Sequence, residues 1–194
     1  MKIAFLGWGS LIWDPGVLKI KDCWKADGPF FPIEFARISE KNGGRLTLVI
    51  HPNTWSVQTL WAISAYNDLD QAIENLACRE KTSKCNIGFA CILDNSSRCK
   101  SVPNILSIIQ CWAKEKKLEA VIWTDLCSNF KKKLGKELNE GNVIEYLRSL
   151  NGETKCRAKE YICKAPEQIK TKFRRRIIQE LGWLPINSKI RCQS

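Results

Sequence analysis

Ile3-Ala4-Phe5-Leu6-Gly7-Trp8-Gly9-Ser10-Leu11 is the stretch whose reading decides the fold. A short apolar run of this kind reads as a buried strand, and it passes straight into Gly-x-Gly-Ser. Two glycines around one bulky residue admit backbone angles that other residues resist, so amide N–H groups can turn into a cavity. A loop like this at a strand end binds an anion or a developing negative charge, or it is a tight turn with close backbone packing. Both readings stay open at this point. It is not a dinucleotide fingerprint, because Ile12 stands where the third glycine of G-x-G-x-x-G is required.

The bulk properties narrow the classes. A chain of 194 residues, 44% apolar and 26% charged, is expected to form one compact domain over 1–194 with a real core. No apolar run approaches the ~20 residues of a membrane span. Lys2 and the run behind it break at Gly7 without a small-residue cleavage site, so no signal peptide is expected and the location reads as cytoplasmic. The 10 cysteines include no C-x-x-C pair and are expected to be reduced, and His51 is the only histidine. No metal site is therefore expected. The net charge of +11 is densest at Lys131-Lys132-Lys133 and Arg174-Arg175-Arg176. These runs read as solvated helix faces rather than a nucleic-acid surface, because no binding module's signature accompanies them.

Asp14-Pro15-Gly16 is a turn, and the next strand runs from Phe30 to Ser39. Strict alternation puts Phe31, Ile33, Phe35 and Arg37 on one face, so Arg37 continues an apolar row. It is either an edge residue that snorkels or a cation that reaches a ligand carboxylate. Asn42-Gly43-Gly44 turns the chain into Arg45–Ile50, and a turn at His51-Pro52-Asn53 leads to Val57–Ile63. The pattern predicts an antiparallel meander of these three strands.

Asp68 with Gln71 has the character of a capping box, and Leu69, Ala72, Ile73, Leu76 and Ala77 form a helical apolar stripe. The stripe's next step lands on Glu80, while Glu74 and Arg79 fall away from it. A carboxylate on the buried side of a helix end either pairs with a cation or holds a proton and becomes a general acid or base. A helix-end Glu that swings out to solvent is the plain alternative.

Further on, Ile87–Leu93 reads as a strand. Pro103 is expected to open a helix with Ile105, Ile108, Ile109 and Trp112 on one face. Ala120–Leu126 reads as a strand buried up to Thr124, and Asp125 at its end is a ligand-binding group or, as expected, has a turn or cap role. Helices are expected over Asn142–Leu150 and from Pro166 to Leu181, the second with Ile169, Phe173, Ile177 and Leu181 as its stripe, ended by Gly182 and Pro185.

This order of elements resembles the gamma-glutamylcyclotransferase-like superfamily, whose opening motif reads Tyr-Gly-Ser-[Leu/Asn]. Trp8-Gly9-Ser10-Leu11 occupies that motif, with Gly7 before it, and Ala36-Arg37-Ile38 is similar to the family's Ala-Arg-Leu element. Leu60-Trp61-Ala62 resembles the strand before the catalytic helix, and Glu80 in Leu76-Ala77-Cys78-Arg79-Glu80 matches the family's catalytic Glu. The resemblance covers roughly the first 90 residues and returns loosely at Thr124-Asp125. It implies an α+β fold: a small mixed, mainly antiparallel β-barrel flanked by helices, with a C-terminal helical extension over about 130–194. It also implies a gamma-glutamyl small-molecule substrate that cyclises to 5-oxoproline and releases an amine. Glu80 would be general acid/base, and Gly7, Trp8, Gly9, Ser10, Leu11 and Arg37 would bind the substrate without metal or cofactor. Trp8 stands where the family has Tyr, which removes a phenol hydroxyl.

Three readings from different classes stand beside one another: such an enzyme, a non-catalytic small-molecule binding or interaction domain on the same fold, and a nucleic-acid binder through the basic C-terminal face. A cysteine hydrolase is argued against, because Cys78 lies on a different helix face from Glu80.

Overall fold

The computed structural model describes residues 1–102 and 104–186; Pro103 and the expected extension beyond 186 lie outside them. The first half of the chain holds β1 (Ile3–Gly7), β2 (Phe30–Ser39), β3 (Arg45–Ile50), β4 (Ser56–Gln58), β5 (Leu60–Ile63) and α1 (Leu69–Glu80). The second holds β6 (Ile87–Cys91), β7 (Ser97–Arg98), α2 (Ile105–Glu115), β8 (Ala120–Thr124), α3 (Phe130–Leu134), α4 (Glu140–Ser149), α5 (Gly152–Lys164) and α6 (Lys172–Leu181). The expected α+β class holds. The strands form two sheets, ordered β5-β1-β8-β6-β7 and β3-β2-β4, in which only β1 with β8 is parallel. No closed barrel is found among the described residues.

β1 is buried at every position because it lies between β5 and β8. The meander does not form. β2 takes the centre of its sheet, with β3 on one side and β4 on the other. The expected strand 57–63 is cut at Thr59, which is fully buried and sends both its N–H (3.1 Å) and its hydroxyl (2.8 Å) to the Pro29 carbonyl. That anchor keeps β4 beside β2 while β5 crosses to β1.

A second correction concerns β2. Phe35 pairs with Leu48 but Arg37 pairs with Thr47, so one residue is extra between them. This bulge turns Arg37 to the opposite face from Phe35, and Ile38, paired with Leu46, resumes the apolar row. The core therefore keeps Phe31, Ile33, Phe35 and Ile38, and Arg37 leaves it.

α1 begins as expected: the Asp68 carboxylate accepts from the Gln71 N–H at 2.9 Å, and Ala72, Ile73, Leu76 and Ala77 are buried. In α2, Ile105, Ile109 and Trp112 are buried, whereas Ile108 is exposed and falls outside the stripe. α3 and α5 fall within the C-terminal helical extension that the resemblance implies, though the pattern places neither helix individually. The last helix starts at Lys172 rather than Pro166, capped by Thr171 Oγ1, which accepts from the Arg174 N–H at 3.1 Å. Ile169 is buried in the turn before it.

Arg174 corrects the reading of its run as a solvated face. It is 2% exposed, and its guanidinium donates to the carbonyls of Ile162, Ala165, Pro166 and Ile169. Arg175 lies over the Trp55 ring, Arg176 pairs with Glu180, Lys131 with Glu137, and Lys133 with Glu40. Much of the basic charge is thus used within the chain. Among the described residues, no helix is long and apolar enough to cross a membrane. Among the described residues, eight cysteines are free thiols, and Cys23 is disulfide-bonded, against the expectation of a reduced set.

Candidate functional site

The loop after β1 folds back through Ile12 N–H to the Gly9 carbonyl (3.1 Å) and Asp14 N–H to the Ser10 carbonyl (2.8 Å). The N–H groups of Gly9, Ser10 and Leu11 meet no acceptor among the described residues. Neither Gly7 nor Gly9 has a left-handed backbone, so backbone freedom does not explain them. Close packing does. A Cβ on Gly7 would lie 2.7 Å from Trp24 Cζ3, and one on Gly9 would overlap the Tyr161 hydroxyl. Trp8 is 5% exposed, tilted against Phe31, with its indole N–H directed at the Leu48 carbonyl at 3.4 Å.

Glu80 meets this loop through its neighbour. Arg79 Nη1 donates to Glu80 Oε1 at 2.7 Å, while Nη2 donates to Ser10 Oγ at 3.1 Å and to the Asp14 carbonyl at 2.5 Å. Of the two outcomes expected for a carboxylate at this helix end, the structure has the paired one. Arg79 and Glu80 are both largely shielded, with side chains 10% and 19% exposed. The placement of Arg79 away from the stripe is corrected: it stands i+3 from Leu76 as Glu80 stands i+4, and both positions flank the buried row.

These groups line a cavity of about 630 Å³, together with the turn of the β2–β3 hairpin and Tyr161 from α5. Trp8, Gly9, Ser10, Leu11, Arg37 and Glu80 all reach it, and Gly7 does not; Gly7 packs behind the loop on Trp24. Arg37 enters the cavity because of the β2 bulge, and its Nη1 donates to the Cys127 carbonyl at 2.7 Å. Asp125 lies outside the lining and ties down the loop between β7 and α2, accepting from the Ser101 N–H at 3.2 Å and from the Lys100 N–H, rather than serving a turn of its own. His51 also lies outside. Among the described residues no group of three or more His, Cys, Asp or Glu side chains is placed to hold a metal ion.

Two residues of the site were not anticipated. Tyr161 is buried against Gly9, Trp13 and Phe35, and its oxygen accepts the Leu48 N–H at 3.4 Å. Burial pushes its phenol up to about 12, aided by Glu80, so it is a donor at neutral pH. Its hydroxyl hydrogen has no acceptor among the described residues. Arg45 lies with its guanidinium carbon 4.5 Å from the centre of the Tyr161 ring. Burial pulls the ionisation of Arg45 down, with Arg79 adding to the effect.

Set beside protein-family models, curated proteins and solved structures, the chain returns no match in any of the three comparisons. What the site does is therefore argued from its own geometry. That geometry offers unclaimed donors, a carboxylate with one oxygen engaged, and a cavity in the range that holds small molecules.

Proposed function

We propose that the protein is a gamma-glutamyl cyclotransferase-type enzyme acting on a gamma-glutamyl amino acid, peptide or amine. The observation that carries this reading is the Arg79 bridge, which joins Glu80 to the Ser10 loop on the wall of one cavity. In the reaction the substrate's alpha-amine attacks its own gamma-carbonyl, forming the lactam C–N bond of 5-oxoproline. The amide bond to the leaving amine breaks, and that amine gains a proton. An ammonium cannot attack, so its proton must first be taken. Glu80 Oε2, which has no partner among the described residues, is placed to take it and to pass it to the leaving nitrogen. The free amides of Gly9, Ser10 and Leu11 suit the oxyanion of the tetrahedral intermediate. Attack within one molecule makes a folded substrate pose the main source of acceleration.

Tyr161 meets the difficulty raised by Trp8. The resemblance loses a phenol at position 8, and α5 brings one to the same loop, against Gly9. The barrel is proposed on the same footing. If β4 and β5 are read as one strand bent at Thr59, the order runs β7-β6-β8-β1-β5/β4-β2-β3, an opened barrel with β3 and β7 at its edges.

A second reading has its own support. An Arg79–Glu80 pair tied to Ser10 is also what a structural strut needs, and a non-catalytic binding domain would keep it. Release of 5-oxoproline from a panel of gamma-glutamyl amino acids, peptides and amines separates the two. The enzyme predicts turnover that falls about a hundredfold or more in Glu80→Gln. Ligand-induced thermal stabilisation without turnover, unchanged in Glu80→Gln, would establish the binding domain instead.

A further inference from the structure

The β2–β3 hairpin gives the cavity a second chemical character. Cross-strand pairing of Arg37 with Thr47 and of Ser39 with Arg45 puts these four side chains on one face, and all four line the cavity. The two arginines are diagonal neighbours, with backbones about 7–8 Å apart, close enough for both forks to reach one anion. Neither makes an ion pair among the described residues, although the field of Asp14 and Glu160 reaches Arg45. Arg45 stacks on Tyr161, and its Nε is buried without a hydrogen-bond partner. Arg37 spends one Nη on the Cys127 carbonyl.

Most other charges near this wall are engaged: Arg79 holds Glu80, Ser10 and the backbone carbonyl of Asp14; Lys41 donates to the Lys81 carbonyl; Glu40 is paired with Lys133. Asp14 lines the cavity as well, and its carboxylate makes no ion pair with either arginine among the described residues. Burying a cation without a partner is costly, so two half-buried guanidiniums on one face are a standing demand for an anion. Desolvation lowers the ionisation of both arginines, which is the cost that a bound carboxylate would offset. A planar guanidinium fork matches a carboxylate in shape as well as charge.

We propose that Arg37 and Arg45 form a subsite for a carboxylate on the leaving group, so that the product released beside 5-oxoproline is an amino acid or peptide rather than a plain amine. Ser39, whose oxygen accepts from Asn42 Nδ2, keeps its hydroxyl hydrogen for the same anion. The inference rests on the cyclotransferase reading for the identity of the leaving group, but the anion preference of the cavity is measurable without turnover.

The test uses a matched pair, gamma-glutamylglycine and gamma-glutamylglycinamide, which differ only in the leaving-group carboxylate. Calorimetric titration of the Glu80→Gln protein should give at least about tenfold tighter binding of the acid. The gap should close in Glu80→Gln proteins that also carry Arg45→Gln or Arg37→Gln. The second variant matters because Arg37 is not stacked on Tyr161 and its loss spares that packing. Equal affinities, a gap that survives both arginine changes, or no binding of either compound would overturn the subsite. Product release by the wild-type protein reports on the reaction separately. Turnover of both compounds with equal kcat/KM rejects the subsite and leaves the reaction standing; acid-selective, arginine-dependent binding without turnover does the reverse.

Discussion

Gly9 and Tyr161 occupy one another's space, and that pair is where the site is most sensitive to a single atom. The phenol oxygen is the atom that a methyl at position 9 would meet first, and the next ring atom, Cζ, stands 3.4 Å from that methyl. Gly9→Ala should therefore destabilise the fold by about 1–3 kcal/mol through overpacking in a buried loop. Tyr161→Phe removes the clashing oxygen, so Gly9→Ala should cost less in that background, with a coupling of at least about 0.5 kcal/mol. Urea unfolding of the four proteins measures it. Strictly additive costs would mean that the loop is not held against the phenol. Arg79 makes a related point about reading side chains. Beside Glu80 at a helix end, it is as close to the buried row by spacing, and the choice between them is made by Ser10 and the Asp14 carbonyl, 69 and 65 residues away in sequence.

At the scale of elements, α5 carries Tyr161 into the site and Arg174 closes its C-terminal end. That guanidinium gathers four carbonyls between Ile162 and Ile169, from the last turn of α5 and the segment after it, of which the Pro166 carbonyl also accepts from the Ile169 N–H. Arg174→Met should destabilise the protein by about 3 kcal/mol or more, since charge-assisted bonds are lost and buried acceptors are left bare. A cost below about 1 kcal/mol in urea unfolding would show that water replaces the guanidinium. The same element explains what was hard to read. β1, its loop, α1 and β8 were legible, because their patterns are local: an unbroken apolar run, a cap, a stripe. α5 opens with Glu153, Lys155 and Arg157, and its Ala158, Tyr161, Ile162 and Ala165 stripe appears only in its second half and just past its end. Tertiary burial of Tyr161, not propensity, holds it. The face of Arg37 is hidden from the sequence for a different reason. One extra residue at the bulge reverses the alternation, and no spacing within β2 announces it.

For the molecule as a whole, the C-terminal helices are tied to the β3-β2-β4 sheet through a carboxylate. Glu34, fully buried on β2, accepts from the Phe35 N–H at 2.8 Å, from the Phe173 N–H of α6 at 3.1 Å and from the Thr54 hydroxyl at 3.3 Å. Burial raises its ionisation above the usual 4.5, and these hydrogen bonds offset the effect only in part. The sign of the consequence is fixed by linkage. A carboxyl whose folded pKa exceeds its unfolded value contributes stability in full below the unfolded value and loses it as pH rises through the folded one. The stability of wild type relative to Glu34→Gln should therefore be greatest in acid and decline as the buried carboxyl ionises. Urea unfolding of both proteins from about pH 4 to about pH 7.5 tests this. The variant is expected to be weaker in absolute terms, because an amide nitrogen would face either the Phe35 N–H or the Phe173 N–H, but the pH slope of the difference is what identifies Glu34. A difference that stays flat, or grows with pH, would mean that the hydrogen bonds from Phe35, Phe173 and Thr54 outweigh desolvation and that the tie between sheet and helices is strongest when charged.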